Sequence, residues 1–499
     1  MAAVLVAFGG GLGAPFHFDD HGMLADPAIA SGDGWREVWR LGQTRPLTYF
    51  TFWVNHAVGG ASPLGFHLVN LALHVGSTLL VWACLRRLIP LEAAYIAAFV
   101  FGLHPVQTEA VVYIFARSTL LATLVTLCAL YCWLRGRHWL AVGVFGVALL
   151  AKEEVAAFPA VLAMLHLANS YNRAERGPLA AMFALAVAFV ARVAYIATVT
   201  PGSGAGAHSG YRAVDYFLTQ GWVILHYFQL VAIPVGFTVE PGIDLVRDWR
   251  GVACWASILF ACYVAAKRSF TRLRAGFWFI AAILLILPTS SIFPAQDLAA
   301  DRRLYLPMIG FAAMAGQALR RTSFPILLAA GGVVLAMLSF ARTDVWRSEV
   351  TLWEDAMRWA PRKLRPRLQL ARVTDPATAL RLVEEARNLE PDNPDVASEL
   401  GRLHLESGRY SEALSEFGRA LAARPGDPLM LNNRGASLLA LGLREPAIAD
   451  FRSALNADAC RFDALLNLRR AGVPTELPPQ CRLTERQTDL WNGSLPTIR

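Results

Sequence analysis

Apolar runs of roughly 15–24 residues, such as the stretch from Phe66 to Leu85, recur from the first residues to about residue 342, and no other feature constrains the fold as much. The hydrocarbon core of a bilayer takes about 20 apolar residues to cross as a helix. Runs of this length, repeated many times without polar outer faces, describe a polytopic membrane protein and not a large soluble helical core. Composition agrees: 17% of the residues are charged, against about 25% in soluble domains, and the mean hydropathy is +0.40. From Arg342 onward the sequence is charged and soluble in character.

The net charge of +8 does not indicate nucleic acid, because of where the excess sits. It falls in short loops between apolar runs: Arg86-Arg87, Arg135 with Arg137, Arg173 with Arg176, Lys267-Arg268 with Arg272 and Arg274, and Arg320-Arg321. This is the positive-inside pattern of cytoplasmic loops. The opening stretch from Met1 to Pro15 has no basic n-region and reads as a first membrane helix, not a signal peptide. Crossings are expected near residues 2–16, 64–85, 92–104, 113–134, 138–151, 154–168, 178–199, 252–267, 276–293, 303–319 and 323–341. About eleven crossings starting inside put the C-terminal tail on the non-cytoplasmic side. The stretch 216–237 is also apolar, but a full crossing there would break the alternation. It is expected to be re-entrant or interfacial, which membranes tolerate where backbone lines a cavity.

On this topology the unusual polar residues gather on the non-cytoplasmic face. They lie between His17 and Pro63, from His104 to Glu109, at Lys152-Glu153-Glu154, in the 200–215 loop, and from Gln296 to Arg303. Ionisable residues at membrane depth are costly and tend to face functional cavities.

Residues 360–461 carry a 34-residue period: Gly401 recurs as Gly435, Gly408 as Gly442, Ala413 as Ala447, Phe417 as Phe451, Ala420 as Ala454 and Pro391 as Pro425. That is the tetratricopeptide-repeat spacing, in which small residues let paired helices pack closely and proline follows the second helix. Such arrays stack into superhelices whose concave faces grip peptides. The expected division is 1–342 membrane domain, 343–390 linker with degenerate repeat helices, 391–461 repeats and 462–499 C-terminal extension. Cys84, Cys128, Cys132, Cys254 and Cys262 fall within apolar runs, while Cys460 and Cys481 lie in the tail, where an oxidising compartment would allow a disulfide. No metal-ligand spacing is evident, and no cofactor is expected.

The first external loop opens Phe-His-Phe-Asp-Asp-His-Gly, with Asp19 and Asp20 just past the first crossing. A partly desolvated carboxylate there makes a better base, although helix N-capping is the default explanation of a lone acidic pair. His67, Asn70 and His74 share one helix face by i, i+3 and i, i+4 spacing, which suits a buried polar network. His104 precedes Pro105, a helix-breaking pair. Glu109 and Arg117 are spaced to pair with one another. Arg302 and Arg303, in Pro294-Ala-Gln-Asp-Leu-Ala-Ala-Asp-Arg-Arg-Leu-Tyr-Leu-Pro, suit a lipid phosphate through bidentate guanidinium bonds. Snorkelling to the interface is the alternative reading.

Taken in order, Phe-Asp-Asp, Asp26-Pro27-Ala-Ile, Arg45-Pro-Leu-Thr, Gly65-Phe-His-Leu-Val-Asn, His104-Pro-Val-Gln-Thr-Glu-Ala, Lys152-Glu153 and Asp301-Arg-Arg-Leu-Tyr-Leu-Pro, with the repeats behind them, resemble the transmembrane-and-tetratricopeptide-repeat protein O-mannosyltransferases and their bacterial relatives in the GT-C superfamily. The resemblance implies an all-α fold: a polytopic GT-C-like helix bundle followed by a tetratricopeptide α-solenoid. It implies a polyprenyl-phosphate monosaccharide donor used from the non-cytoplasmic face; single displacement by a hydroxyl acceptor, such as Ser/Thr of an exported protein held along the repeats, would invert the anomeric centre. The resemblance places the catalytic acid motif on Asp19-Asp20 and the basic border motif on Arg302-Arg303; on chemical grounds Arg302, Arg303 or Lys152 would stabilise the departing donor phosphate. His67, Asn70, His104, Glu109, Arg117, Glu153, Asp301 and Tyr305 are expected to support them. Where the family usually has Glu-Arg-Arg-Leu-Tyr, this chain has Asp301. The expected location is a bacterial inner membrane with the repeats in the periplasm. A non-catalytic scaffold that recruits envelope proteins through its repeats is the competing reading. A lipid-linked-sugar transporter is a third, but it would need polar residues spread through the membrane depth.

Overall fold

The computed structural model describes residues 1–168, 173–199, 209–269, 274–321, 325–481, 483 and 485–493. The 200–208 part of the external loop and Arg272 lie outside the described residues. Among the described residues every regular element is a helix. The chain forms two compact units, Met1–Asp355 and Ala356–Arg499.

Among the described residues of the first unit, five helices are long and apolar enough to cross a membrane: Pro63–Leu85, Ile114–Leu134, Arg176–Val199, Trp249–Lys267 and Ile326–Arg347. Leu91–Leu103 with Pro105–Val112 makes a sixth if its 49° bend is one broken span. The break is local chemistry. Proline cannot donate into the helix ladder and pushes its predecessor out of the helical region, and His104 accordingly sits at φ −72, ψ 131. Shorter apolar helices among the described residues are Ala2–Gly13, His138–Ala151, Ala275–Ile286 and Met308–Leu319. The segment expected to be re-entrant or interfacial is an unbroken helix, Ala213–Ala232, with Tyr216, Gln220 and Tyr227 on its buried side.

Helices in this unit approach closely where small residues allow it, as lipid-embedded helices do. Met308–Leu319 packs on Leu91–Leu103 with Gly316 against the backbone of Ala93, so that an added Cβ would strike the Ala93 carbonyl. The unit runs past the expected limit at 342. Trp346 and Leu352 are buried in one cluster with Ala14, Val112 and Tyr113, and Arg342 pairs with Asp355.

The second unit is a series of helical hairpins, the clearest being Pro394–Glu406 with Tyr410–Ala423 and Pro428–Ala440 with Arg444–Ala457. Asn393 and Asp427 cap the first helix of each by accepting backbone N–H bonds, with proline next in line. The 34-residue period thus has a packing cause. A Cβ on Gly435 would sit 2.6 Å from the Phe451 ring, and one on Gly401 2.8 Å from Phe417. Gly408 and Gly442, at φ +73 and +78, make the left-handed turn between helices. Cys460 and Cys481 are bonded to each other.

Candidate active site

The chain leaves the Ala2–Gly9 helix through a short 3-10 turn and reaches Phe18, the only non-glycine residue with positive φ (+48) among the described residues. A bulky side chain in that region is strained. Phe18 is held there by edge contacts with Tyr113, Trp346 and Trp353 at 5.7, 6.4 and 5.2 Å. His17 secures the same turn, its Nε2 bonding the Trp346 carbonyl at 2.8 Å.

Beyond Phe18 the two aspartates part company. Asp20 is fully buried; its Oδ2 accepts from the His17 backbone N–H at 2.9 Å and its Oδ1 from that of Phe115 at 2.8 Å. Burial pushes its carboxyl up to about 7, with the two N–H bonds opposing the shift. Asp19 is exposed. Its Oδ2 accepts from the Tyr113 hydroxyl at 2.7 Å, and its own N–H approaches the same hydroxyl at 3.3 Å.

Tyr113 lies in the break between the helices Thr108–Val112 and Arg117–Leu134, stacked on Trp346 at 6.0 Å. The guanidinium of Arg302 lies 5.8 Å from the centre of its ring. Arg302 donates its backbone N–H to Glu109 Oε2 at 3.0 Å, pairs through Nη1 with Glu109 Oε1, and reaches Asp297 Oδ2 at 2.9 Å. Burial opposes its charge, but these carboxylates raise its pKa further still. Arg303 donates to neutral oxygens: the Asp297 carbonyl at 2.7 Å, the Leu298 carbonyl at 3.2 Å and Tyr216 Oη at 3.4 Å. The helix Ala213–Ala232 props this loop from behind, with Gln220 bonding the Leu298 carbonyl and Tyr227 the Ala300 carbonyl. Asp301 is buried, and burial, with Glu109 nearby, raises its carboxyl well above the ordinary value.

The expected pairing of Glu109 with Arg117 does not occur. Arg117 opens its helix facing Pro63–Leu85 and donates to Asn70 Oδ1 at 2.8 Å, Asn55 Oδ1 at 2.9 Å and the Phe66 carbonyl at 3.0 Å, between the rings of Phe52 and Phe66. Glu109 points the other way, toward Arg302. The polar face of His67, Asn70 and His74 is buried as expected, but each member has its own partner. His67 Nε2 bonds the Ala14 carbonyl at 2.9 Å. His74 Nε2 bonds the Gly102 carbonyl at 3.2 Å, which leaves Nδ1 to accept from the Tyr305 hydroxyl at 2.9 Å. His104 Nδ1 accepts from the Val106 N–H at 3.2 Å, so Nε2 carries the proton toward the Val231 carbonyl, also 3.2 Å away.

Lys152 and Glu153 form a separate network. The Lys152 ammonium is 2.6 Å from both Glu154 Oε2 and Thr119 Oγ1, and burial lowers its pKa. Glu153 binds Arg45 in a forked pair at 2.7 and 3.1 Å; burial works against its charge, but Arg45 more than offsets it and holds the carboxyl at about 2. The geometry therefore joins Asp19, Tyr113, Arg302, Glu109 and Asp297 in one continuous group, beside Asp20, Arg303 and Asp301. Tyr113, Trp346 and Asp297 were not among the residues expected from the sequence. Asp297 lies in the same motif as Arg302 and Arg303, and Tyr113 follows Glu109 by one helical turn, but nothing in the sequence links Trp346 to them.

Residues 370–433 match the tetratricopeptide-repeat family model. Protein O-mannosyl-transferase F38B6.6 of Caenorhabditis elegans is 25% identical over 406 residues, covering 72% of this chain and 57% of that protein. Human protein O-mannosyl-transferase TMTC4 is 27% identical over 462 residues, covering 72% and 61%, and human TMTC3 is 22% identical over 445 residues, covering 76% and 48%. The chain thus spans between about half and three fifths of the length of these curated relatives. Among solved structures, ArnT from Cupriavidus metallidurans bound to undecaprenyl phosphate superposes with a TM-score of 0.43 at 17% identity, over 84% of this chain and 78% of that one. In sequence, then, this chain is a relative of the transmembrane-and-tetratricopeptide-repeat protein O-mannosyltransferases, as its ordered motifs implied.

Proposed function

We propose that this chain is a membrane glycosyltransferase that moves a monosaccharide from a polyprenyl-phosphate donor to a hydroxyl acceptor, with inversion, on the non-cytoplasmic face. The names of its relatives suggest mannose and a protein acceptor. The observation that carries the reading is the Asp19 carboxylate, exposed, with one oxygen held by Tyr113 and with Arg302 across the same ring. A base needs an accessible lone pair in a fixed place, and a departing phosphate needs cations nearby.

In this mechanism Asp19 Oδ1 takes the proton of the acceptor hydroxyl while that oxygen attacks the anomeric carbon. The bond from the anomeric carbon to the phosphate oxygen breaks, and the electron pair leaves with the lipid phosphate. Arg303, whose hydrogen bonds go to neutral oxygens, has no carboxylate bonded to it and offers its charge to the phosphate; Arg302 is ion-paired with Glu109 and Asp297. Asp20, with both oxygens on backbone N–H groups, fixes the turn. The repeats hold the acceptor segment.

The test is transfer by the purified full chain from undecaprenyl-phosphate mannose to Ser/Thr peptides, followed by mass spectrometry. Asp19→Asn is expected to cost on the order of 10²–10⁴-fold with folding intact, the range for a general base. Undiminished transfer by Asp19→Asn removes the base role. If the substituted chain also keeps its cellular phenotype while deletion of 391–461 abolishes it, the protein is a scaffold.

A further inference from the structure

The Tyr113 side chain touches both halves of the site. Its hydroxyl donates to Asp19 Oδ2 at 2.7 Å, and its ring carries the Arg302 guanidinium at 5.8 Å. The ring has almost no freedom: it is 3% exposed, stacked on Trp346 with the planes 21° apart, and flanked edge-on by Phe18. A phenol hydroxyl lies in the plane of its ring, so a clamped ring aims its hydrogen bond in one direction. The Asp19 side chain sits at the surface, where a carboxylate has several rotamers and loses entropy when it is fixed.

We propose that Tyr113 is the positioning residue of this site: its clamped ring holds one oxygen of Asp19, turns the other toward the acceptor, and keeps the carboxylate at a constant distance from Arg302. This rests on the reading of Asp19 as the base. The proton lost by the acceptor ends on Asp19 Oδ1, and the Tyr113 proton stays on its own oxygen throughout. Trp346 belongs to the same device, since it stacks on Tyr113 while its carbonyl bonds His17, one residue before the strained Phe18. Rigid aromatic contacts thus connect the turn that presents the aspartates to the loop that presents the arginines. Misplacing a reacting group by about 1 Å costs on the order of 100-fold in rate.

The test is Tyr113→Phe in the full chain, which keeps the ring and its stacking and deletes only the hydroxyl. Transfer from undecaprenyl-phosphate mannose to a Ser/Thr peptide is expected to lose roughly 10- to 100-fold in kcat with the donor KM within about twofold, because the bond orients a reacting group. A tyrosine that only fills space predicts unchanged kinetics. In an Asp19→Asn background Tyr113→Phe is expected to add less than about a further twofold, since the two residues then act as one unit. Wild-type kcat in Tyr113→Phe, beside an inactive Asp19→Asn, overturns the positioning role and leaves the base reading standing. Full activity in Asp19→Asn overturns the base reading itself. Equal losses for Tyr113→Phe with and without Asp19 also overturn the inference, by showing that the hydroxyl acts elsewhere. If Tyr113→Phe does not fold, as judged by tryptophan fluorescence, Asp19→Glu carries the test: a carboxylate one methylene out of register with the phenol is expected to lose a similar 10- to 100-fold, and full activity overturns the proposal.

Discussion

Replacing Asp20 with asparagine separates the duties of two adjacent aspartates. In an unfolded chain an aspartate titrates near 3.9, whereas burial raises folded Asp20 to about 7. Between about pH 4 and pH 7 the folded state therefore binds more protons than the unfolded state. Stability contributed at this site falls as pH rises through that window and levels off above it. At 1.36 kcal/mol per unit the charged form costs roughly 4 kcal/mol by about pH 8. Asparagine abolishes that cost but presents an NH2 to one of the two backbone N–H groups, of His17 and Phe115, that Asp20 accepts. One buried donor then goes unsatisfied, at about 1–3 kcal/mol. The two effects oppose each other and only one depends on pH. By pH 5 roughly 1.5 kcal/mol of that cost has already accrued in the wild type, so Asp20→Asn is expected to be less stable than wild type by at most about 1.5 kcal/mol near pH 5 and more stable by about 1–3 kcal/mol near pH 8. The assay is tryptophan-fluorescence unfolding of the full chain in detergent, at matched scan rates because such midpoints are rate-dependent. A deficit of the same size at both pH values refutes the reasoning, because it means that Asp20 does not titrate in the window.

Two further outcomes follow from contacts on either unit. Glu109→Gln removes the charge that Arg302 pairs with through both its backbone and its guanidinium; a buried pair broken on one side loses about 3–5 kcal/mol, so the same unfolding assay should show a clear drop, and a shift under about 1 kcal/mol contradicts the pairing. Gly435→Ala drives a methyl to 2.6 Å from the Phe451 ring, whereas Gly418→Ala points into open space. The first is expected to destabilise the repeats by about 1–3 kcal/mol and the second to stabilise them by up to about 1 kcal/mol, as read by limited proteolysis of the repeats in the full chain; the reverse order would contradict the packing.

The repeats were legible because their information is local. Gly408 and Gly442 answer a turn and Gly401 and Gly435 answer a ring, each within about one hairpin of sequence, so a period exposes them. Membrane helices were legible for the same reason, since hydropathy is summed over neighbours. The site was only half legible. Asp19, Asp20, Arg302 and Arg303 stood out as ionisable residues in an apolar setting, but which of them meet depends on helix packing. Glu109 and Arg117 look like partners because they are eight positions apart, yet the break at Tyr113 turns them in opposite directions. Trp346 is more than two hundred residues from Tyr113, and its ring gives no polar signal. Lys152, conspicuous for its charge, has Glu154 two positions away as its partner.

The left-handed backbone of Phe18 bears on how an active site acquires asymmetry. Asp19 and Asp20 are chemically identical and consecutive, and in an ordinary turn they would be interchangeable candidates for any task. The twist just before them sends one carboxylate to the surface beside a phenol and seals the other among backbone amides. The distinction between a group that exchanges protons with a substrate and a group that anchors a loop is therefore written in one dihedral angle of a neighbouring residue. Glycine at position 18 would adopt that angle without strain, but it would bring no ring to rest against Tyr113, Trp346 and Trp353. The strain at Phe18 is tolerated where it makes two equal side chains unequal.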